Sequence, residues 1–91
     1  MATVELEDTI AFAYTPEGRF RLAGTLAEVE ERLTTPPFVR VSRAAILQLS
    51  WIAHLEPLGA GVWIAKLKEP LDREVRVARR RVTLLRELLG W

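Results

Sequence analysis

The stretch from Phe38 to Leu49 limits how this chain can fold more than any other. It reads FVRVSRAAILQL, where the first part alternates between apolar and polar residues and the second part is almost wholly apolar. Alternation with a period of two is typical of a half-buried strand, and a continuous apolar run has to be buried. Arg40, Ser42 and Arg43 therefore project from a segment that burial holds in place on both sides.

Other short segments with the same alternation predict a mostly β protein. Besides a short strand or frayed end at Val4–Leu6, the predicted strands are Thr9–Tyr14, Arg19–Ala23, Phe38–Val41, Ser50–Glu56, Val62–Leu67 and Arg73–Val77. A turn that contains proline and glycine joins Thr9–Tyr14 to Arg19–Ala23, so these two strands should form a hairpin. In Arg73–Val77 we expect arginine on one face and the valines on the other. For Ala44–Leu49 two interpretations stay open, a continued strand or a short turn that leads into one.

Two segments repeat apolar residues with the spacing of a helix. The first covers about residues 25–34, and Thr25 and Glu28 at its start form a predicted capping box. The two prolines that follow should stop this helix, because neither can donate a backbone N–H. The second helix covers about residues 79–89, and Gly90 is a natural helix stop.

The totals predict one cytoplasmic domain that spans residues 1–91. A chain of 91 residues is long enough for a single modest core. It has no cysteine, which excludes disulfides and thiolate chemistry, and no apolar run approaches the roughly 20 residues that cross a bilayer. The N-terminus carries acids where a signal peptide would carry lysine or arginine. The lack of asparagine is typical of thermophile proteins, although a GC-rich genome would give a similar arginine-rich composition.

The charge is unevenly distributed although the net charge is only +1. Residues 1–37 contain seven acids and three arginines, whereas residues 38–91 contain ten lysines or arginines and five acids. A molecule of this kind can present a basic face to nucleic acid while the rest stays acidic. The other interpretation is ordinary variation of charge along a chain.

Catalysis is not indicated by any group of residues. His54 is the only histidine, and it lies in the middle of a predicted strand. The five glycines stand in unrelated turns and form no phosphate-binding loop. The acids Glu5, Glu7 and Asp8 could bind a cation, but a solvated segment is the better interpretation. We therefore expect neither an enzyme nor a metal or cofactor site.

A second arginine group lies near the end of the chain, where the last predicted strand meets the last helix. It consists of Arg76, Arg79, Arg80 and Arg81. The helix dipole disfavours arginine in the first turn of a helix unless an anion or an acid offsets it. A phosphate at this helix end would meet both backbone N–H groups and guanidinium forks. The alternative is a set of salt bridges to Glu28, Glu30, Glu31 or Glu74, and both interpretations stay open.

Four segments follow one another in an informative order and spacing. They are a threonine-leucine helix start with acids after it (residues 25–33), Pro36-Pro37-Phe38-Val39-Arg40-Val41-Ser42-Arg43, the strand Trp51–Glu56, and Val77-Ala78-Arg79-Arg80 before a leucine-rich helix. In this order they resemble the LytTR DNA-binding domain of bacterial transcription regulators. The resemblance covers residues 25–89, and extends more loosely from residue 10.

The resemblance implies an elongated α+β fold of antiparallel sheets that contacts double-stranded DNA through loops. It assigns base readout in the major groove to Arg43 and to Arg80. Arginine suits this role because its fork matches O6 and N7 of guanine. The phosphate or auxiliary contacts that it implies are Arg40, Ser42, Arg76, Arg79 and Arg81.

The chain also departs from the family pattern. Ser42 replaces the family's histidine, Ala44-Ala45 its serine and aromatic pair, and Gln48 its asparagine. We expect a shortened first strand, so that one usual base contact is missing or supplied differently, and no receiver domain. A shortened first strand should leave a sheet edge unpaired, which favours self-association.

Two hypotheses of function follow from these observations. The first is sequence-specific DNA binding by a small stand-alone transcription regulator, as a homodimer or on repeated sites. The second is a protein-interaction module that has kept the fold and lost specific readout of DNA. The arginine groups favour the first hypothesis, and the low net charge and the substituted motif favour the second.

Overall fold

A computed structural model of the chain describes residues 1–33 and 37–91. Its elements in chain order are β1 (Thr3–Glu7), β2 (Ile10–Thr15), β3 (Gly18–Leu22), α1 (Leu26–Arg32), β4 (Phe38–Ser42), β5 (Ala45–Gln48), β6 (Ile52–Gly59), β7 (Val62–Leu67), β8 (Glu74–Val77) and α2 (Val82–Leu89). Leu49–Trp51 and Arg79–Arg81 each form a single 3-10 turn. The predicted α+β architecture is confirmed, with extents of 33 × 25 × 24 Å. In the described ranges, neither helix has the length and apolar content needed to cross a membrane.

The strands form two antiparallel sheets. The five-stranded sheet has the order β3-β2-β1-β5-β4, and the three-stranded sheet has the order β6-β7-β8. The predicted hairpin is confirmed, because β2 and β3 pair from Ala11 opposite Leu22 to Thr15 opposite Gly18. The strand predicted at Ser50–Glu56 begins later, at Ile52, since the residues before it form a 3-10 turn.

The N-terminal segment is a central strand of the larger sheet. β1 pairs with β2 on one side and with β5 on the other. The hydroxyl of the fully buried Thr3 donates a hydrogen bond to the carbonyl oxygen of Ile46 at 3.0 Å. The expectation that the first strand would leave a sheet edge unpaired is therefore wrong. The open edges belong to other strands, and β3 carries Arg19 and Arg21, charges that oppose edge-to-edge pairing.

Apolar side chains are buried on both faces of the five-stranded sheet. On one face α1 covers a cluster formed by Val4, Ala11, Ala13, Leu26, Val29 and Ile46. On the other face the three-stranded sheet and α2 pack over Val41, Ala45 and Leu47, with Ile52, Ala65, Leu67, Val75, Val77, Val82 and Leu85. β4 contributes to both clusters, since Phe38 lies on the α1 side and Val41 on the other. Phe38 and Val41 thus lie on opposite faces of the sheet, because they are an odd number of residues apart.

An ion pair joins the two sheets near the start of β8. Arg73 donates to both carboxylate oxygens of Glu5 in β1, at 2.8 and 3.0 Å, and its guanidinium lies 3.7 Å from the centre of the Tyr14 ring. Arg73 has the same parity as Val75 and Val77, so it turns towards the sheet interface rather than sharing a face with Arg76. The predicted arginine face of this strand is therefore formed by Arg76 and not by Arg73.

The start of α1 is the predicted capping box. The Thr25 hydroxyl accepts a hydrogen bond from the backbone N–H of Glu28 at 3.2 Å, and the Glu28 carboxylate accepts one from the N–H of Thr25 at 2.9 Å. The second bond lowers the pKa of Glu28 below its usual value. α1 ends at Arg32, and the predicted proline stop falls mostly on residues 34–36, outside the described residues.

Thr25→Ala should lower the free energy of unfolding by about 1 kcal/mol, because one N–H of the first turn loses its acceptor. Thermal unfolding measures this loss, and Thr25→Ser, which keeps the hydroxyl, is the matched control. Equal stability of the alanine and serine variants would contradict the role of this cap.

The contribution of the Glu28 carboxylate to stability depends on pH. Because the folded pKa of Glu28 lies below its unfolded pKa, this contribution is present at neutral pH and is lost as the pH falls through the lowered pKa.

Candidate nucleic-acid interface

The first arginine group lies at the turn between β4 and β5. These strands pair as an antiparallel hairpin whose register shifts between Arg40 and Ser42. The turn at Arg43 and Ala44 leads into a separate strand, β5. Of the two interpretations left open for Ala44–Leu49, the structure therefore shows a short turn that leads into a strand, and not a continuation of β4. Ser42 is half-buried, and its hydroxyl accepts a hydrogen bond from the N–H of Ala44 at 3.1 Å. Arg43, between them, is exposed in the turn itself.

Arg40 lies beside this turn and uses its guanidinium within the protein. Nε donates to the carbonyl oxygen of Ser42 at 2.8 Å, and Nη2 donates to the carbonyl oxygen of Arg43 at 3.1 Å. Nη1 forms an ion pair with the Glu30 carboxylate of α1 at 3.1 Å. The side chain of Arg40 is only 23% exposed. Three of its donors are thus bound before any ligand arrives.

The second arginine group follows β8. Val75 and Val77 are buried and Arg76 is exposed, as the alternation predicts. Arg79, Arg80 and Arg81 form a 3-10 turn, and α2 begins after it at Val82. The predicted helix start at residue 79 is therefore three residues too early for the α-helix itself.

A backbone hydrogen bond brings the two groups together. The N–H of Ala78 donates to the carbonyl oxygen of Val41 at 2.7 Å, which joins the end of β8 to the outer strand of the larger sheet. Val41 and Val77, next to this bond, are almost completely buried. The turn that carries Arg43 and the turn that carries Arg80 are consequently held side by side.

The two groups line one open groove of about 910 Å³. All seven residues predicted as contacts lie along it, namely Arg40, Ser42, Arg43, Arg76, Arg79, Arg80 and Arg81. The two groups therefore form one basic surface, although Arg43 and Arg80 are about 37 positions apart in the sequence. We call this surface the arginine groove.

Internal salt bridges do not balance the charge of the arginine groove. Across residues 1–33 and 37–91, no carboxylate lies within 4.0 Å of a guanidinium nitrogen of Arg43, Arg76, Arg79, Arg80 or Arg81. Three of the four acids proposed as partners are engaged elsewhere, since Glu30 pairs with Arg40, Glu74 with Lys66 and Glu28 with the cap of α1. The alternative interpretation of this cluster therefore does not describe the structure.

Sequence reasoning missed one wall of the groove. Gly61 and Val62, at the turn between β6 and β7, also line it. A Cβ at Gly61 would lie 3.5 Å from Cδ of Arg79, so the Arg79 side chain rests against this turn. Gly59, Ala60 and Gly61 all have positive φ, a tight conformation that two glycines permit. The glycines predicted a loop, but nothing local connects this loop to arginines farther along the chain.

Comparisons with known proteins identify the fold and the family. The family model of the LytTr DNA-binding domain matches residues 1–90, so the match begins nearer to the N-terminus than the resemblance read from the motifs. One solved structure is the LytTr DNA-binding domain of a protein described as a methyl-accepting/DNA response regulator from Bacillus cereus. It superposes with a TM-score of 0.81 at 21% identity, over 99% of this chain and 81% of that chain. No curated protein matches the sequence.

The solved structure shows that the fold is the same, and the family model shows the membership. LytTR domains are DNA-binding regulatory domains rather than enzymes. The predicted partner class, double-stranded DNA, is the one that this family binds. The chain therefore belongs to the LytTR family of DNA-binding domains, which act in transcription regulation.

Proposed function

We propose that the arginine groove binds double-stranded DNA sequence-specifically, with Arg43 and Arg80 reading base edges in the major groove. The observation that carries this proposal is the convergence of five arginines from two distant segments without an acidic partner among the described residues. Like charges gathered on one surface repel each other, and a polyanion that neutralises them relieves this repulsion. A duplex supplies such a polyanion.

The positions of the arginines support the division between base and phosphate contacts that the family resemblance implied. Arg43 and Arg80 are exposed on two adjacent turns, and a planar fork on a turn can match O6 and N7 of one guanine. Arg79 and Arg81 lie on either side of Arg80 in the 3-10 turn, and Arg76 lies before it on β8, where phosphates of the same duplex would pass.

Selection from a random duplex pool, followed by titration, tests the proposal. We expect a recovered sequence that wild-type protein binds at least about a thousandfold more tightly than an unrelated duplex at physiological salt. Equal affinity for every duplex would support the other hypothesis, a protein-interaction module without readout.

Arg79→Ala and Arg81→Ala should weaken binding to the selected and unrelated duplexes alike. Each variant loses one phosphate contact, so the slope of log K against log salt should become shallower by about one. Titrations at several salt concentrations measure this slope. Arg21→Ala is the matched control, because Arg21 is exposed on β3 and does not line the arginine groove. A slope change in the control equal to that of the groove variants would contradict the assignment.

Binding as a homodimer, or as separate copies on repeated half-sites, belongs to the same proposal. Paired copies would double the number of bases read and would give a site with two half-sites. Sedimentation of the free protein and of its complex with a selected duplex distinguishes the two arrangements. Monomers in both samples would remove the homodimer.

A further inference from the structure

Arg40 differs from the other arginines of the groove in what its guanidinium contacts. Two of its nitrogens bind the consecutive backbone carbonyls of Ser42 and Arg43, and a third binds the Glu30 carboxylate. The remaining arginines of the groove have no carboxylate partner within the described ranges. Arg40 therefore contributes less free charge to the surface than its position suggests.

The acceptors of Arg40 determine the shape of the turn between β4 and β5. The hairpin register shifts at this point, so the regular ladder of strand bonds does not fix the backbone. The bonds from Arg40 hold the carbonyls on either side of the Arg43 peptide, and the Ser42 hydroxyl holds the N–H of Ala44. A rigid guanidinium fork can reach all three acceptors at once, whereas a lysine ammonium is a single point of contact.

We propose that Arg40 is a positioning residue, which holds the turn so that Arg43 can present its guanidinium to a base, with Glu30 of α1 as its anchor. This replaces the phosphate or auxiliary role that the family resemblance implied for Arg40. The inference rests on the proposed function in one respect, the reading of a base by Arg43. We call the hydrogen bonds from Arg40 to the carbonyls of Ser42 and Arg43 and to the carboxylate of Glu30 the clamp. The clamp is a property of the free protein.

Positioning has consequences that a phosphate contact does not have. A bidentate contact with a base requires the fork to lie within roughly 0.5 Å of its place, whereas attraction to a phosphate tolerates larger shifts. Loss of the clamp should therefore reduce discrimination between sequences. It should leave the salt dependence, which counts neutralised phosphates, unchanged.

Arg40→Lys and Arg40→Gln separate these two roles. Both variants remove the fork, and only the first keeps the charge. We expect both to lower the ratio of selected-site to unrelated-duplex affinity by about tenfold, with the salt slope unchanged. Arg21→Lys, at an exposed arginine that does not line the arginine groove, is the matched control and should keep the ratio. A lysine variant equal to wild type, with a glutamine variant that weakens both duplexes equally, would overturn the clamp.

Substitutions of Glu30 test the anchor. Glu30→Gln keeps an oxygen that can accept from Arg40, and Glu30→Ala removes it. We expect the glutamine variant to keep the affinity ratio and to bind all duplexes somewhat more tightly, because a negative charge leaves the groove. The alanine variant should lower the ratio. Identical behaviour of the two variants would show that Glu30 acts only through its charge, which contradicts an anchoring role.

Amide hydrogen exchange tests the clamp without DNA. In Arg40→Lys the amide of Ala44 should exchange at least about tenfold faster, while the amide of Glu28 in the capping box of α1 stays protected. Unchanged exchange at Ala44 would overturn the clamp whatever the protein binds. If wild-type protein selects no sequence, the proposed function fails, and this measurement still decides the role of Arg40.

Discussion

Replacing both Arg43 and Arg80 by alanine should reduce the affinity for a selected duplex to nearly the affinity for an unrelated one. Each arginine that reads a base contributes about 1–3 kcal/mol of discrimination, so each single variant should already relax the sequence preference at one position. The two side chains lie on adjacent turns that the bond from Ala78 to Val41 holds together. They should therefore read neighbouring bases of the same site.

The comparison with Arg79→Ala distinguishes readout from simple loss of charge. The single variants Arg43→Ala and Arg79→Ala remove the same charge from the same groove. We expect the first to lower the affinity for the selected duplex much more than the affinity for an unrelated duplex. The second should lower both by similar factors. If the two variants have similar effects on both duplexes, the groove binds DNA only through its charge and does not read the sequence.

Leu85→Ala should lower the free energy of unfolding by about 2–5 kcal/mol, the usual cost of truncating a fully buried leucine. Leu85 has no exposed surface and packs between α2 and the two sheets. For a domain of this size such a loss is a large fraction of the total stability. Because Leu85 anchors the helix directly after Arg79–Arg81, the same change should loosen one wall of the arginine groove.

Leu88→Ala is the matched control, because Leu88 lies on the same helix and is 50% exposed. Its effect on stability should stay within about 0.5 kcal/mol. Chemical denaturation of the two variants measures the difference. A loss for Leu85→Ala no larger than that for Leu88→Ala would contradict the packing of α2 against the sheets.

Local signals predicted the elements that depend on neighbours in sequence. The turn between β2 and β3 and the capping box at Thr25 rest on residues three or four positions apart, and both are confirmed. The central place of β1 was missed, because a strand of five residues has the same pattern at an edge and in the middle of a sheet. The two-sided burial of β4 was missed for a related reason. Alternation shows that a strand has two faces but not what covers each face.

The candidate site was predictable in its residues and not in its contacts. The clustering of arginines and the family motifs pointed to seven of the residues that line the groove. Their meeting depends on a hydrogen bond between Ala78 and Val41, which no local pattern shows. Residue type could not distinguish Arg40, bound to backbone carbonyls, from Arg43, which is exposed. The glycines predicted the loop between β6 and β7, but only the fold places it beside Arg79.

We propose that arginines from two distant segments read bases together in one groove. Substitution of single guanines in a selected duplex by 7-deazaguanine, which lacks the N7 acceptor, tests this joint readout. At one guanine the change should weaken binding of wild-type protein and of Arg80→Ala, and leave Arg43→Ala unaffected. At a second, nearby guanine the pattern should be reversed. If every substitution weakens all three proteins equally, or none of them, Arg43 and Arg80 do not read bases.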